Sequence, residues 1–103
     1  MKKMEINDDI ITDISQLLMT AADETRLKIL LALLQNKKMC VSDIQENVGA
    51  SQSLVSHQLS VLRKKKLVAT TRDGNKIFYS LDDEHVNRLI KVAYEHVTED
   101  KDE

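Results

Sequence analysis

The chain has no proline, only two glycines (Gly49 and Gly74), one cysteine (Cys40) and three aromatic side chains (Phe78, Tyr79 and Tyr94). So little turn chemistry predicts a mostly helical fold with few tight turns. A single cysteine excludes an intrachain disulfide framework and any multi-cysteine metal site within one chain. No apolar run comes near the roughly 18 residues that a membrane helix needs. The basic start, Met1-Lys2-Lys3, does not open a signal-peptide pattern. A cytoplasmic protein with no membrane partner is the expectation.

At 103 residues the chain reads as one domain, small enough that dimerisation would usefully enlarge its core. Residues 1–8 and 100–103 read as disordered ends of that domain. The net charge of −2 and a pI near 5.9 argue globally against nucleic acid. The distribution argues the other way. Arg63-Lys64-Lys65-Lys66 is a block of cations with Arg72 and Lys76 close behind, while much of the acid lies at Glu5–Asp13 and at 99–103. A local basic face on an acidic protein is compatible with DNA.

Ile10, Ile11, Ile14, Leu17 and Leu18 recur at helical spacing and predict a first helix over about 9–20. Asp23 then caps a second helix that is apolar on most sides and ends near Asn36-Lys37-Lys38; it is the expected centre of the core. Met39-Cys40-Val41 reads as a short extended stretch. Ser42 and Gln45 have capping-box spacing at the start of a short third helix, with Ile44 and Val48 inward and Gly49 as its stop. Ser51 caps a fourth helix over about 52–65, whose buried side is predicted to be Leu54, Val55, Leu59 and Leu62. From Leu67 the period changes to that of strands. Leu67–Thr71 and Lys76–Leu81 flank Arg72-Asp73-Gly74-Asn75, and Asp73-Gly74 is a hairpin signal.

Two helices joined by a short glycine-containing turn, then a hairpin, make a winged helix-turn-helix: mainly α with a small β-hairpin. Opposite the apolar stripe of the fourth helix lie Gln52, Ser53, Ser56, His57, Ser60, Arg63 and Lys64. The small hydroxyls and the amide suit base edges, and the cations at the far end suit phosphates. Arg72 and Lys76 on the hairpin suit phosphates or the minor groove. The plain alternative is a solvated polar face. His57 has no partner ligand nearby in sequence and reads as a phosphate or packing contact.

A last helix is expected over about 83–98, framed by Asp83, His85, His96 and Glu99 in the pattern D-x-H-x(10)-H-x-x-E. At about 100° per residue the two imidazoles point nearly the same way, yet at about 1.5 Å per residue they stand roughly 16 Å apart. Metal bonds to such ligands are only about 2 Å long, so the four side chains cannot share one ion within a chain. Antiparallel pairing of two copies would bring Asp83 and His85 of one to His96 and Glu99 of the other, giving two identical sites. Four N/O donors suit tetrahedral Zn(II), and Co(II) or Ni(II) would also bind. Asp83 as a simple helix cap and Glu99 as part of a solvated acidic tail remain open alternatives. A closed four-ligand site on a dimer seam leaves no open position for substrate, so an enzyme is not expected.

The chain resembles the ArsR/SmtB family of metal-responsive bacterial repressors over about residues 10–99. The residues that carry the resemblance are Ala21 to Leu30, Ser51 to Leu59 and Gly74 to Asp83. The resemblance implies a homodimeric winged helix that binds double-stranded operator DNA and releases it when an inducer binds. It places DNA contacts at Val41, Gln52, Ser53, Ser56 and His57, with the wing at Arg72 to Lys76. Asp83, His85, His96 and Glu99 match the zinc-sensing branch, with Co(II), Ni(II) and Cd(II) as other ions to consider and efflux or resistance genes as the expected target. A soft-metal branch uses C-x-C, where this chain reads Cys40-Val41-Ser42. Cys40 is therefore expected to be a small buried residue, with thiol oxidation as the alternative signal. The carbonyls near Lys66-Leu67 are the expected partners for a ligand histidine's second N–H.

Overall fold

The computed structural model describes residues 3–99. Its elements run α1 (Asp8–Ala22), α2 (Glu24–Asn36), α3 (Val41–Val48), α4 (Gln52–Lys64), β1 (Val68–Asp73), β2 (Lys76–Leu81) and α5 (Glu84–Glu99). Lys3 to Asn7 are exposed and without regular structure, while Asp8 already belongs to α1. The expectation of disorder at 1–2 and at 100–103 lies outside the described residues.

Local chemistry sets most of the boundaries. Asp23 accepts the Arg26 N–H at 3.1 Å to start α2, and Ser51 Oγ accepts the Leu54 N–H at 3.2 Å to start α4. Each such cap stabilises by about 1 kcal/mol. Asn7 does the same for α1 through the Ile10 N–H at 2.9 Å, which moves the start of α1 one residue earlier than expected. Gly49 ends α3 in the left-handed region at φ 70°, its N–H donating to the Gln45 carbonyl at 2.8 Å. Gly74, at φ 64°, is the first of the two residues turning the hairpin between Asp73 and Lys76, a position where a Cβ would be strained.

The start of α3 differs from expectation in its cap. The α3 cap is Cys40, not Ser42, and its carboxylate partner is Asp43, which takes the Cys40 N–H at 3.3 Å and the thiol at 3.2 Å. The cause is non-local. Met39 and Tyr79 exchange both backbone hydrogen bonds, at 3.0 and 2.7 Å, so the chain is held extended up to Cys40 and can turn helical only after it. Cys40 is accordingly half-buried and hydrogen-bonded instead of a simple core residue.

The helix α2 lies at the centre, packed against α1, α3, α4, β2 and α5. Its Ile29, Leu30 and Leu33 are fully buried with Ile44 of α3, Val55, Leu59 and Leu62 of α4, and Leu67 and Val68 at the base of the hairpin. Val86 and Ile90 attach α5 to this core. Leu54, expected inside, is 41% exposed, because it lies about 80° around α4 from Leu62.

Much apolar surface stays outside. Ile10, Ile11, Ile14 and Leu18 of α1, and Leu89, Val92 and Val97 of α5, are exposed. Among the described residues α1 and α5 do not pack on each other. The radius of gyration, 15.1 Å, exceeds the roughly 13 Å of a compact domain this size, so these faces project from an open shape. No helix of the described residues is long and apolar enough to cross a membrane.

Candidate DNA-reading face and metal residues

The polar side of α4 is continuous. At about 100° per residue, Ser53, His57, Ser60 and Lys64 fall within an arc of about 60°, with Gln52, Ser56 and Arg63 beside them. All seven are exposed. His57 is thus not packed into the core of this chain. Val41, at the start of α3, is half-buried and packed against the core, so only part of it faces outward.

The end of α4 aims the wing. Lys66 adopts φ 59°; its N–H donates to the Arg63 carbonyl at 3.0 Å, and the Leu67 N–H donates to the Leu62 carbonyl at 2.9 Å. This is a Schellman cap, with Leu67 and Leu62 both buried as its apolar pair. A non-glycine residue in this conformation costs roughly 1 kcal/mol, offset by the buried pair. The cap leaves Arg63, Lys64, Lys65 and Lys66 exposed at one end of the polar face. On the hairpin, Arg72 pairs in register with Ile77 and Asp73 with Lys76.

On α5, Asp83 has two partners. Oδ1 accepts the Val86 N–H at 3.0 Å and caps the helix, while Oδ2 lies 3.5 Å from His85 Nδ1. The Val86 N–H, with His85 beside it, holds the Asp83 carboxyl below its ordinary value. The cap and the imidazole contact thus coexist. The His85 side chain is 82% exposed and free to take a further partner. His96 and Glu99 lie exposed near the other end of α5. Among the described residues no three His, Cys, Asp or Glu side chains converge, which agrees with the spacing argument that one chain cannot assemble the set. Two imidazoles and two carboxylates are nevertheless the donor types that Zn(II) takes, and all four are available at the surface.

Two features were not visible in the sequence. The Leu67 carbonyl, a candidate acceptor for a histidine N–H, already accepts the Asp82 N–H at 3.0 Å, joining the α4–wing junction to the residue before Asp83. Asp82 acts here through its backbone, so no side-chain signal marks it. The other is Arg26, whose guanidinium reaches Gln58 on α4 at 2.8 Å. Its partner lies 32 residues away on another helix, so helical period alone could not reveal the contact.

A helix-turn-helix with an exposed polar second helix, followed directly by a hairpin, defines a winged helix-turn-helix protein. Residues 23–70 match the family described as "Bacterial regulatory protein, arsR family". A cadmium resistance transcriptional regulatory protein CadC homolog of Staphylococcus aureus is 32% identical over 87 residues, 84% of this chain and 72% of its own. A transcriptional repressor SmtB homolog of Synechocystis sp. is 40% identical over 78 residues, 76% of this chain and 58% of its own. The homodimeric winged helix-turn-helix domain of Mb0332 from Mycobacterium bovis superposes with a TM-score of 0.79 at 25% identity, over 98% of this chain and 99% of that one. The chain belongs to the arsR family of bacterial transcriptional regulators, which are not enzymes.

Proposed function

We propose that the chain is a homodimeric, cytoplasmic repressor that holds operator DNA in its metal-free form and lets go when Asp83 and His85 of one copy, with His96 and Glu99 of the other, take up Zn(II). The observation that carries this reading is one exposed stripe of α5. Leu89 and Val92 lie on it between His85 and His96, and the two imidazoles are equally far from the point midway between Leu89 and Val92. A two-fold axis through that point would set Leu89 against the partner's Val92 and His85 against the partner's His96 by the same operation. The exposed apolar face of α1 offers further surface for a second copy to cover. The homodimeric Mb0332 domain has the same fold, which supports a homodimer.

Bound there, Zn(II) would supply a closed four-coordinate link between the two last helices. The residues of the chain do the rest. Asp83 fixes the start of α5 with one oxygen and keeps the other toward His85; Asp82 ties that start to the end of α4. Gln52, Ser53 and Ser56 face base edges, Arg63 and Lys64 face phosphates, Arg72 and Lys76 extend the contact on the wing, and Val41 and His57 flank it. By linkage, metal weakens DNA binding only as far as DNA weakens metal binding. The cadmium-resistance relative supports a metal signal and a resistance gene as target.

Fluorescence anisotropy tests this, using duplexes selected by the protein from a randomised pool, with and without Zn(II), Co(II), Ni(II) or Cd(II). The expected result is Zn(II)-driven release that vanishes in the His85→Ala/His96→Ala variant. Tight DNA binding indifferent to every ion would refute the metal reading. A second reading has one observation in its favour: the Cys40 thiol caps α3 through Asp43 beside Val41, so its oxidation would disturb the helix-turn-helix. That reading expects peroxide-dependent release that survives loss of both histidines.

A further inference from the structure

We infer that Arg26 and Gln58 are positioning residues that fix the angle between the dimer-side helix α1 and the recognition helix α4. The inference rests on the proposed reading of α4 as the DNA-reading helix and of α1 as part of the dimer seam. Arg26 Nη1 donates to Gln58 Oε1 at 2.8 Å, and Arg26 Nε donates to the Thr20 carbonyl at 2.8 Å near the end of α1. Thr20, the one buried polar side chain among the described residues, sends its hydroxyl to the Gln16 carbonyl at 2.7 Å. The Gln16 side chain in turn accepts Lys65 Nζ at 3.2 Å, just past the end of α4. These bonds close a ring that holds α1 to α4 at two points, in the middle of the recognition helix and at its C-terminus.

Apolar packing alone leaves this angle loose. Only Thr20 and Ala21 of α1 are buried, while most of its apolar side chains point outward. Burial of so small a patch is non-directional. A planar guanidinium with its donors in a fixed fork is directional, and Lys cannot replace it. Gln58 lies on the flank of α4 that turns toward α1, about 100° from His57 and outside the polar face, so it is placed for positioning and not for reading bases. In a dimer built on α1 and α5, the α1–α4 angle sets the separation of the two recognition helices. Successive major-groove half-sites demand a separation of about 34 Å, which leaves little tolerance.

The test compares Arg26→Lys and Gln58→Met with wild type on a duplex selected by the wild-type protein and on a random duplex, over a range of salt. The expected result is a loss of roughly five- to tenfold on the selected duplex, the scale of one net hydrogen bond. Affinity for the random duplex and the slope of log K against log salt should not change, because no phosphate contact is lost. A purely structural role would lower thermal stability without moving the ratio of the two affinities. An unchanged ratio overturns the inference, as does an equal loss on both duplexes with a shallower salt slope, which would make Arg26 a phosphate contact. If Gln58→Met does not fold, Arg26→Lys decides alone. Failure of the wild type to select any duplex would refute the DNA reading itself, an outcome distinct from failure of the ring.

Discussion

The Asp82 N–H donates to the Leu67 carbonyl at 3.0 Å, so the residue that ends the Schellman turn of α4 is bonded to the residue that precedes the Asp83 cap of α5. Recognition helix and last helix are thereby joined through one backbone contact instead of through the length of the hairpin. Asp82→Pro removes that donor. It leaves Leu81 in extended strand, the conformation that a following proline favours. The expected loss of stability is about 1 kcal/mol. DNA affinity and Zn(II) affinity, each measured alone, should stay within about threefold, while the factor by which either weakens the other should fall well below the roughly 5–150-fold usual for coupled sites. Anisotropy titrations of DNA with and without Zn(II) read this directly; undiminished coupling would assign transmission to another path.

Leu89 and Val92 occupy the centre of the stripe that His85 and His96 bracket. Leu89→Glu/Val92→Glu puts carboxylates where the proposed two-fold axis brings two copies together. Like charges in such a seam cost several kcal/mol, so the dimer dissociation constant should rise by at least about 100-fold. Sedimentation velocity should show monomer at micromolar concentration while circular dichroism keeps its helical signal, since both residues are outside the core. A dimer of wild-type strength would place the seam elsewhere.

Where a signal lies within one helical turn, the sequence was readable. Asp23, Ser51 and Gly49 act within three or four residues of themselves, and each ends or starts its helix as expected. The hairpin followed from Asp73-Gly74 for the same reason. At the start of α3 the capping-box spacing of Ser42 and Gln45 pointed to the wrong cap, and the helix starts after Cys40 with Asp43 as its partner. That start is set by Tyr79, far away in sequence, through its pairing with Met39. Helical period marked the polar face of α4 and the shared direction of His85 and His96. It could not reveal the Arg26–Gln58 or Asp82–Leu67 bonds, which depend on how helices cross. The candidate metal set was legible as a pattern, but its four side chains do not come together among the described residues of one chain, and the proposed closure by a second copy is not a signal that one sequence carries.

The two ends of the α4 face should respond differently to substitution. Lys64→Ala should weaken selected and random duplexes alike and lower the salt slope by about one, as loss of one phosphate contact does. Gln52→Ala should cost about 1–3 kcal/mol on the selected duplex, leave the salt slope unchanged and relax preference at one base pair. Both residues are fully outside the core, so melting temperatures should hardly move. Identical behaviour of the two variants would mean that the face has no division between base and phosphate contacts.

Asp43 gives the fold a pH dependence whose sign is fixed by its partners. The Cys40 thiol, then the Cys40 backbone N–H, with a smaller contribution from Lys76, hold its carboxyl below the ordinary value of 3.8 against a weak opposing effect of burial. The unfolded chain lacks these partners, so near that pH it binds more protons than the native one. The stabilisation from Asp43 is therefore present above the ordinary carboxylate range and is lost as pH falls through it. Asp43→Asn keeps the shape but removes the charge that makes these hydrogen bonds strong. Its melting temperature should fall below that of wild type at pH 7, and the gap should narrow as the pH drops below the ordinary carboxylate value and the native carboxyl takes up its proton. Thermal melts of both proteins across that range measure the gap, and a deficit of constant size would show that Asp43 acts through shape and not through charge.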